Sequence, residues 1–284
     1  MIDTFAAMPI EVRRAQRKQY RAFIAERDGA VDLNRRTLTK REALMIRHET
    51  PLSRLRGMDE QAFALQYESF DAGRRSSPEM LLLLALVKVN AAEAFGVSKT
   101  FGRMMKRALH DEDDLEPVLL IEETYHTRIL LSSARLYGIE ANAAYVPPST
   151  LRVLIGGIAH SPESISRPLT LAGEILGTLL FANLLTVART ILKDDPELAD
   201  SIEERIIEVL VDELGHISFN RMCLGPLGLA QARLLLPLVA KAMSGFSPEL
   251  QALGAMPNNP LADLAKIADP ARLPEIVRSQ AFFA

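Results

Sequence analysis

Residues 169–188 run for 20 positions with a single charge, Glu174. A stretch of this kind has two physical solutions. It crosses a bilayer, or it is a helix apolar on every side inside a large helical core. A carboxylate at mid-span is expensive in lipid, and the flanks carry no aromatic anchors, so a buried helix and no membrane span are expected. The core must then be large. A chain of 284 residues, 48% of them hydrophobic, can supply it as one domain or as a domain with extensions. Elsewhere apolar residues recur every three or four positions and alternating strand runs are missing, which predicts an all-α fold.

Punctuation divides the chain. A basic segment, 1–74, is broken near Asp28-Gly29 and Thr50-Pro51; its first 58 residues hold 13 Lys/Arg against 7 Asp/Glu. Those arginines are expected to form a solvated face. The whole chain carries a net charge of -3, which excludes a general polyanion binder. The first long helix opens at Ser77-Pro78-Glu79, a capping serine before a first-turn proline, and runs to about 109, before His110-Asp111-Glu112-Asp113-Asp114. A second covers 115–137 and ends at Gly138. A Pro/Ser/Gly-containing connection, 145–167, leads to a third helix at 168–192. A fourth opens at Asp195-Pro196-Glu197 and closes before Gly225-Pro226. Four long helices with short links and one crossover predict a four-helix bundle over 75–225. The remainder, 226–284, reads as a fifth apolar helix (227–243) and a tail packing on the core; that helix is apolar enough to cover a second copy, which allows a homodimer.

The chemistry sits on the four helices. Two of the five histidines stand three residues after a glutamate: Glu123-Thr124-Tyr125-His126 and Glu213-Leu214-Gly215-His216. Positions i and i+3 share a helix face, so each pair aims an oxygen and a nitrogen at one point. The other two helices each hold a glutamate in an apolar stretch, Glu93 and Glu174. A buried carboxylate with no partner costs several kcal/mol, so something must neutralise them. Four carboxylates and two imidazoles are the set that holds two divalent irons, or manganeses, in a bundle core, with a ligand charge that balances two dications. A second acid precedes each motif, Glu122 and Asp212. A ligating histidine needs an acceptor for its other N–H, which pairs Asp212 with His126 and Glu122 with His216; the alternative is that both acids face solvent.

The order Glu93, Glu123-x-x-His126, Glu174, Asp212-Glu213-x-x-His216 resembles the ferritin-like dinuclear iron carboxylate superfamily over about 78–225. Within it, Ile121-Glu122-Glu123-Thr124-Tyr125-His126-Thr127 and Val211-Asp212-Glu213-Leu214-Gly215-His216 are similar to the aminobenzoate N-oxygenase family, which uses O2 at a diiron centre to oxidise an arylamine nitrogen. That family places a third histidine four residues before the last motif glutamate; here the position is Val209. Ribonucleotide reductase small subunits have a tyrosine four residues after the first motif histidine, where this chain has Leu130, so no stable tyrosyl radical is expected. Bacterial multicomponent monooxygenases have a threonine at the position of Thr178. Thr178 is therefore either catalytic or a helix threonine bonded to the carbonyl of Glu174.

The resemblance implies an O2-activating diiron oxygenase that hydroxylates a small organic substrate or oxidises its amine. Electrons would come from a reductase or small donor, docked by the basic N-terminal segment. Residues one turn from the ligands are expected to line the substrate pocket: Gly96, Val97, Thr127, Leu130, Gly177, Thr178, Phe181, Val209 and Leu210. Gly96 and Gly177 either leave room for substrate or allow close helix packing. Two other readings stand beside this one. Iron itself is the substrate of a ferroxidase or storage protein, or the acids are structural and pair with Arg128, Arg135, Arg189 or Arg205. His48, His110 and His160 lack metal spacing. One cysteine, Cys223, excludes an internal disulfide and fits a reducing compartment; with no apolar leader evident at the start, a cytoplasmic location is expected. Without tryptophan or a phosphate-binding glycine loop, no nucleic-acid partner is expected.

Overall fold

In a computed structural model of the protein, residues 4–29, 37–49, 55–74, 76–108, 115–140 and 146–284 are described, with the backbone alone at 48–49 and 101–108. Among them there are helices and no strand. Three helices precede the long ones: α1 (Ile10–Gly29), α2 (Leu38–Glu49) and α3 (Glu60–Glu68). The long helices are α4 (Pro78–Ala108), α5 (Glu116–Leu136), α7 (Glu163–Ile191) and α8 (Pro196–Cys223), with α6 (Ser149–Ala159) between α5 and α7. Helix α9 (Pro226–Phe246) and the short α10 (Pro248–Ala252), α11 (Pro260–Asp263) and α12 (Glu275–Gln280) complete the chain. The breaks expected at Thr50-Pro51 and at 110–114, and the side chains of His48 and His110, lie outside the described residues.

Local chemistry accounts for the boundaries. Ser77 Oγ accepts from the Met80 amide at 3.1 Å, so the first turn of α4 is capped. Asp195 accepts from the Leu198 amide at the start of α8, where Pro196 takes the first position. Gly138, at φ 76°, turns the chain after α5 in a conformation that other residues rarely adopt. Two expectations need correction. The connection 145–167 is not irregular throughout, because Leu151, Ile155 and Ile158 recur at helical spacing and it folds as α6. The third long helix begins at Glu163 rather than at Pro168. Pro162 precedes its first turn, and Pro168 lies inside the second turn, where only one helix hydrogen bond is forgone.

Helices α4, α5, α7 and α8 pack around one core. Leu82, Leu83, Leu84 and Leu86 of α4 are fully buried in it, each contributing about 1.5–3 kcal/mol. By length and composition Pro78–Thr100 and Glu163–Ile191 are apolar enough to cross a membrane; much of each is buried within the protein, and each carries one of the isolated glutamates. Helix α8 has no solvent face over its last five turns, since every side chain from Arg205 to Met222 is buried. It is wrapped by α5 and α7, by α1 from the N-terminal segment and by α12. The C-terminus also returns to it: Ser218 Oγ donates to the Phe282 carbonyl at 3.3 Å and accepts from the Ala284 amide at 3.1 Å. Helix α9 lies along α7 with Leu229, Ala232, Leu236 and Ala240 inward, while Leu227, Leu234 and Leu238 face out.

Candidate metal centre

A helix buried on all sides must satisfy its polar side chains internally. On α8 these include Glu208, Asp212, Glu213, His216 and Asn220. Glu208 accepts from the Tyr125 hydroxyl at 3.2 Å, and Asn220 donates to the His216 carbonyl at 3.0 Å. The other three belong to one cluster. Glu93, Glu123, His126 and Glu213 each bring one donor atom within 4.8 Å of the others, and Glu123, Glu174, Glu213 and His216 form a second such group. The groups overlap in Glu123 and Glu213. Two carboxylates are thus shared, while each group adds one further glutamate and one histidine.

The histidines are held from behind. His126 Nε2 lies 3.0 Å from Asp212 Oδ2, and His216 Nε2 lies 3.0 Å from Glu122 Oε2, the crossed pairing read from the sequence. A carboxylate only accepts, so each Nε2 carries the proton and each Nδ1 turns to the cluster. His126 Nδ1 stands 3.4 Å from Glu93 and 3.5 Å from both Glu123 and Glu213. His216 Nδ1 stands 2.8 Å from Glu123 and 3.7 Å from Glu174. Both Nδ1 atoms and Glu93 Oε1 are buried without a well-formed hydrogen bond.

Two arginines from the N-terminal segment close the back of the site. Arg27 of α1 lies 2.5 Å from Glu122 and 3.3 Å from Asp212, and Arg41 of α2 lies 2.5 Å from Asp212. Arg41 also stacks on Tyr125, 4.1 Å from its ring centre. The expectation of a purely solvated basic face is therefore corrected at these two residues, which are buried. They were missed because a charge on an amphipathic helix reads as solvent-facing until its partner is known. Tyr20 packs over Gly215, where an added Cβ would meet the hydroxyl at 2.8 Å; that contact fixes α1 against the cluster.

The charges on the cavity side are answered only by the two histidines among the described residues. No described lysine or arginine pairs with Glu93, Glu123, Glu174 or Glu213, which speaks against arginine-paired structural acids; Arg189 bonds Glu203, and Arg205 bonds Ser132. Burial and the neighbouring Glu123 charge push the Glu93 carboxyl up to about 8. Burial, Glu174 and Glu123 raise Glu213 well above the usual range. Burial opposes ionisation of Glu123 too, but His216 and His126 outweigh it and hold the group well below its usual value. Burial works against protonation of His126 and His216, yet the surrounding carboxylates raise both well above an ordinary imidazole. Without metal the cluster retains protons that two dications would displace.

A cavity of about 510 Å³ opens on the cluster, lined by Glu93, Glu123, Glu174 and Glu213. Its walls come from the C-terminal parts of α4 and α8 and the N-terminal parts of α5 and α7, so α4 runs with α8, and α5 with α7. Gly96, Val97, Gly177 and Phe181 line it as expected. Thr127, Leu130, Thr178, Val209 and Leu210 do not, which corrects the expectation for these five. Leu130, Val209 and Leu210 are buried in the core, and Thr127 bonds the Thr124 carbonyl at 2.8 Å. The Thr178 hydroxyl donates to the Glu174 carbonyl at 2.7 Å, the second of its two readings. The reason is helix direction: one turn onward from a ligand leads toward the cavity on α4 but away from it on α5. The missed lining lies one or two turns back on α5 and α7 (Leu119, Leu120, Thr170) and one turn onward on α8 (Phe219, Asn220), with Ile155 and Ile158 added by α6.

No protein-family model, curated protein or solved structure matches this chain. What the site does must follow from its side chains. The donor set, oxygen-rich with two imidazoles, could hold a metal ion. The orphaned Nδ1 atoms and the uncompensated carboxylates fit such an occupant.

Proposed function

We propose that the protein is a ferritin-like dinuclear metal oxygenase that oxidises a small, largely apolar organic molecule. The observation that carries this reading is the pair of overlapping donor groups sharing Glu123 and Glu213 at the floor of an apolar cavity. Glu93 and His126 would complete one metal position, and Glu174 and His216 the other. When bound, two ferrous ions supply electrons that reduce O2 to an oxidant able to attack a C–H or N–H bond.

The chain's own groups prepare that chemistry. Asp212 and Glu122 hold the histidine Nε2 protons, which presents the Nδ1 lone pairs to the metals and raises their basicity. Arg27 holds both acids in place, and Arg41 adds a second contact to Asp212. Val89, Val97, Leu119, Leu120 and Phe181 exclude water from the floor of the cavity and seat an apolar substrate beside the four carboxylates. A cavity of this size and lining favours an organic substrate over iron, because hydrated cations gain nothing from apolar walls. The electron donor, cytoplasmic location and homodimer belong to the same proposal.

The test is metal content after anaerobic Fe(II) loading and desalting, followed by O2 consumption with a panel of apolar amines and hydrocarbons. About two irons per chain and O2 uptake matched by an oxidised organic product are expected. O2 uptake matched only by ferric mineral would replace the oxygenase with a ferroxidase. No iron would end both.

A further inference from the structure

Beside the cavity on the cluster lies a second space, a cleft of about 390 Å³ with Arg13, Arg14, Arg17 and Arg167 on its walls. Its acids are Glu116 and Glu163, so cations exceed anions by two. Arg167 is paired with Glu116 and lies 4.0 Å from Glu163. The other three arginines have no acidic partner among the described residues. Arg13 donates to the Leu224 carbonyl at 3.2 Å, and its Nε is buried without a partner; Arg17 stands over Phe219 at 5.9 Å. A basic helix face usually points such charges into bulk water. Here α1 lies across α8 and aims them at a concave surface.

The cleft and the cavity share four lining residues, Glu116, Glu163, Arg167 and Phe219. Glu116 and Arg167 each precede a cluster ligand, Glu123 and Glu174, by seven residues, or two helical turns. The mouth is thus about 10 Å along the helices from the carboxylates. The walls between carry Val97, Leu119, Leu120, Ile155 and Ile158 together with the hydroxyls of Thr100, Ser166 and Thr170. From the cleft to the cluster the lining therefore changes from cationic, through mostly apolar side chains, to the four carboxylates, with the Arg167–Glu116 pair between the two spaces.

We propose that the substrate is an anionic amphiphile, its phosphate or carboxylate head held by Arg13, Arg14 and Arg17 and its medium-length alkyl tail laid in the cavity with the far end at the cluster. This inference rests on the oxygenase reading for its chemistry and on these two spaces alone for its binding. Charge-assisted hydrogen bonds to several arginines give the head its affinity, and the tail is drawn in by burial of apolar surface. Arg167 stands at the junction, where an incoming anion competes with Glu116 for its guanidinium.

The test is calorimetric binding of decyl phosphate, decanoate and decanol to the metal-free protein, so that it is independent of iron loading and turnover. Both anions are expected to bind about tenfold or more tighter than decanol. The double variant Arg14→Ala/Arg17→Ala, at exposed positions, should erase that preference and leave decanol binding intact. Val97→Trp should weaken all three ligands; if it fails to fold, Ile158→Phe narrows the same cavity from α6. Decyl phosphate above decanoate identifies a dianionic head, and equal affinities identify any anionic head. Decanol binding as tightly as the anions would overturn the proposal, as would an anion preference that survives the double variant. Inorganic phosphate binding as well as decyl phosphate, with no effect of Val97→Trp, would reduce the cleft to an anion site unconnected with the cavity and overturn it as well. Two irons per chain together with no amphiphile binding would sink this inference and leave the oxygenase standing.

Discussion

The two sides of the carboxylate cluster are built on opposite principles. Behind the histidines, Glu122 and Asp212 are each answered by a fixed guanidinium, and every charge is matched within about a hydrogen-bond length. On the cavity side four glutamates converge, and among the described residues no lysine or arginine pairs with them. The back acids are sealed from solvent, whereas Glu93, Glu123 and Glu174 keep 16–18% of their side-chain surface on the cavity. A protein able to place Arg27 and Arg41 behind the cluster has left its front to be neutralised by something from outside the chain. The back positions, and the front could hold a metal ion.

The sharpest way to break this comparison is to remove a shared ligand. Glu123→Ala should take the iron content from about two per chain to nearly none, because both positions lose a donor. Equal iron in variant and parent would return the front glutamates to a structural role. Glu93→Gln and Glu174→Gln each touch one position; metal affinity should fall about 10–100-fold there with the other position retained, read by titration with Mn(II) and electron paramagnetic resonance.

The back should respond in stability as well as in affinity. Arg41→Ala leaves Asp212 buried with one cation fewer, and should cost about 3–5 kcal/mol in denaturant unfolding together with weaker metal binding. A variant as stable as the parent would show that Arg27 alone suffices. Gly215→Ala pushes Tyr20 from its seat and should cost about 1–3 kcal/mol with little change in metal stoichiometry.

Proton linkage distinguishes the sides without mutation. The Glu93 carboxyl moves from 4.5 when unfolded to about 8 in the metal-free fold, so the folded state holds the extra proton between those values. Stability of the metal-free protein should therefore fall as pH rises from about 4.5 to about 8, and the raised His126 and His216 add the same sign over the upper part of that window. Metal displaces these protons, so the loaded protein should show a flatter melting-temperature profile and release protons on binding. The smallest effect is expected at Thr178→Val. It loses only a bond to its own helix, and oxidation should continue at the parental rate.

Much of the front was readable before any fold was known. Glu-x-x-His is a local geometry, since three residues of helix bring both side chains to one face whatever surrounds them. An isolated glutamate in an apolar run carries its own demand for a partner, which marked Glu93 and Glu174. The back was half readable. Glu122 and Asp212 adjoin the motifs, but Arg27 and Arg41 stand 185 and 171 residues from Asp212 along the chain, and nothing local distinguishes them from their solvated neighbours.

The pocket failed where local geometry ends. Leu130, Val209 and Leu210 stand one turn from ligands, as Gly96 and Gly177 do, yet they enter the core. A helix has the same periodicity in either direction, so spacing specifies a face and leaves open which end of the bundle that face is open at. Composition and period were sufficient for an all-helical chain, the four long helices and six converging donors, because those follow from nearest-neighbour geometry and the cost of burying charge. Assembly settled the direction of each helix, the cover supplied by α6 and the two arginines behind the histidines, because each depends on contacts between segments far apart in the chain.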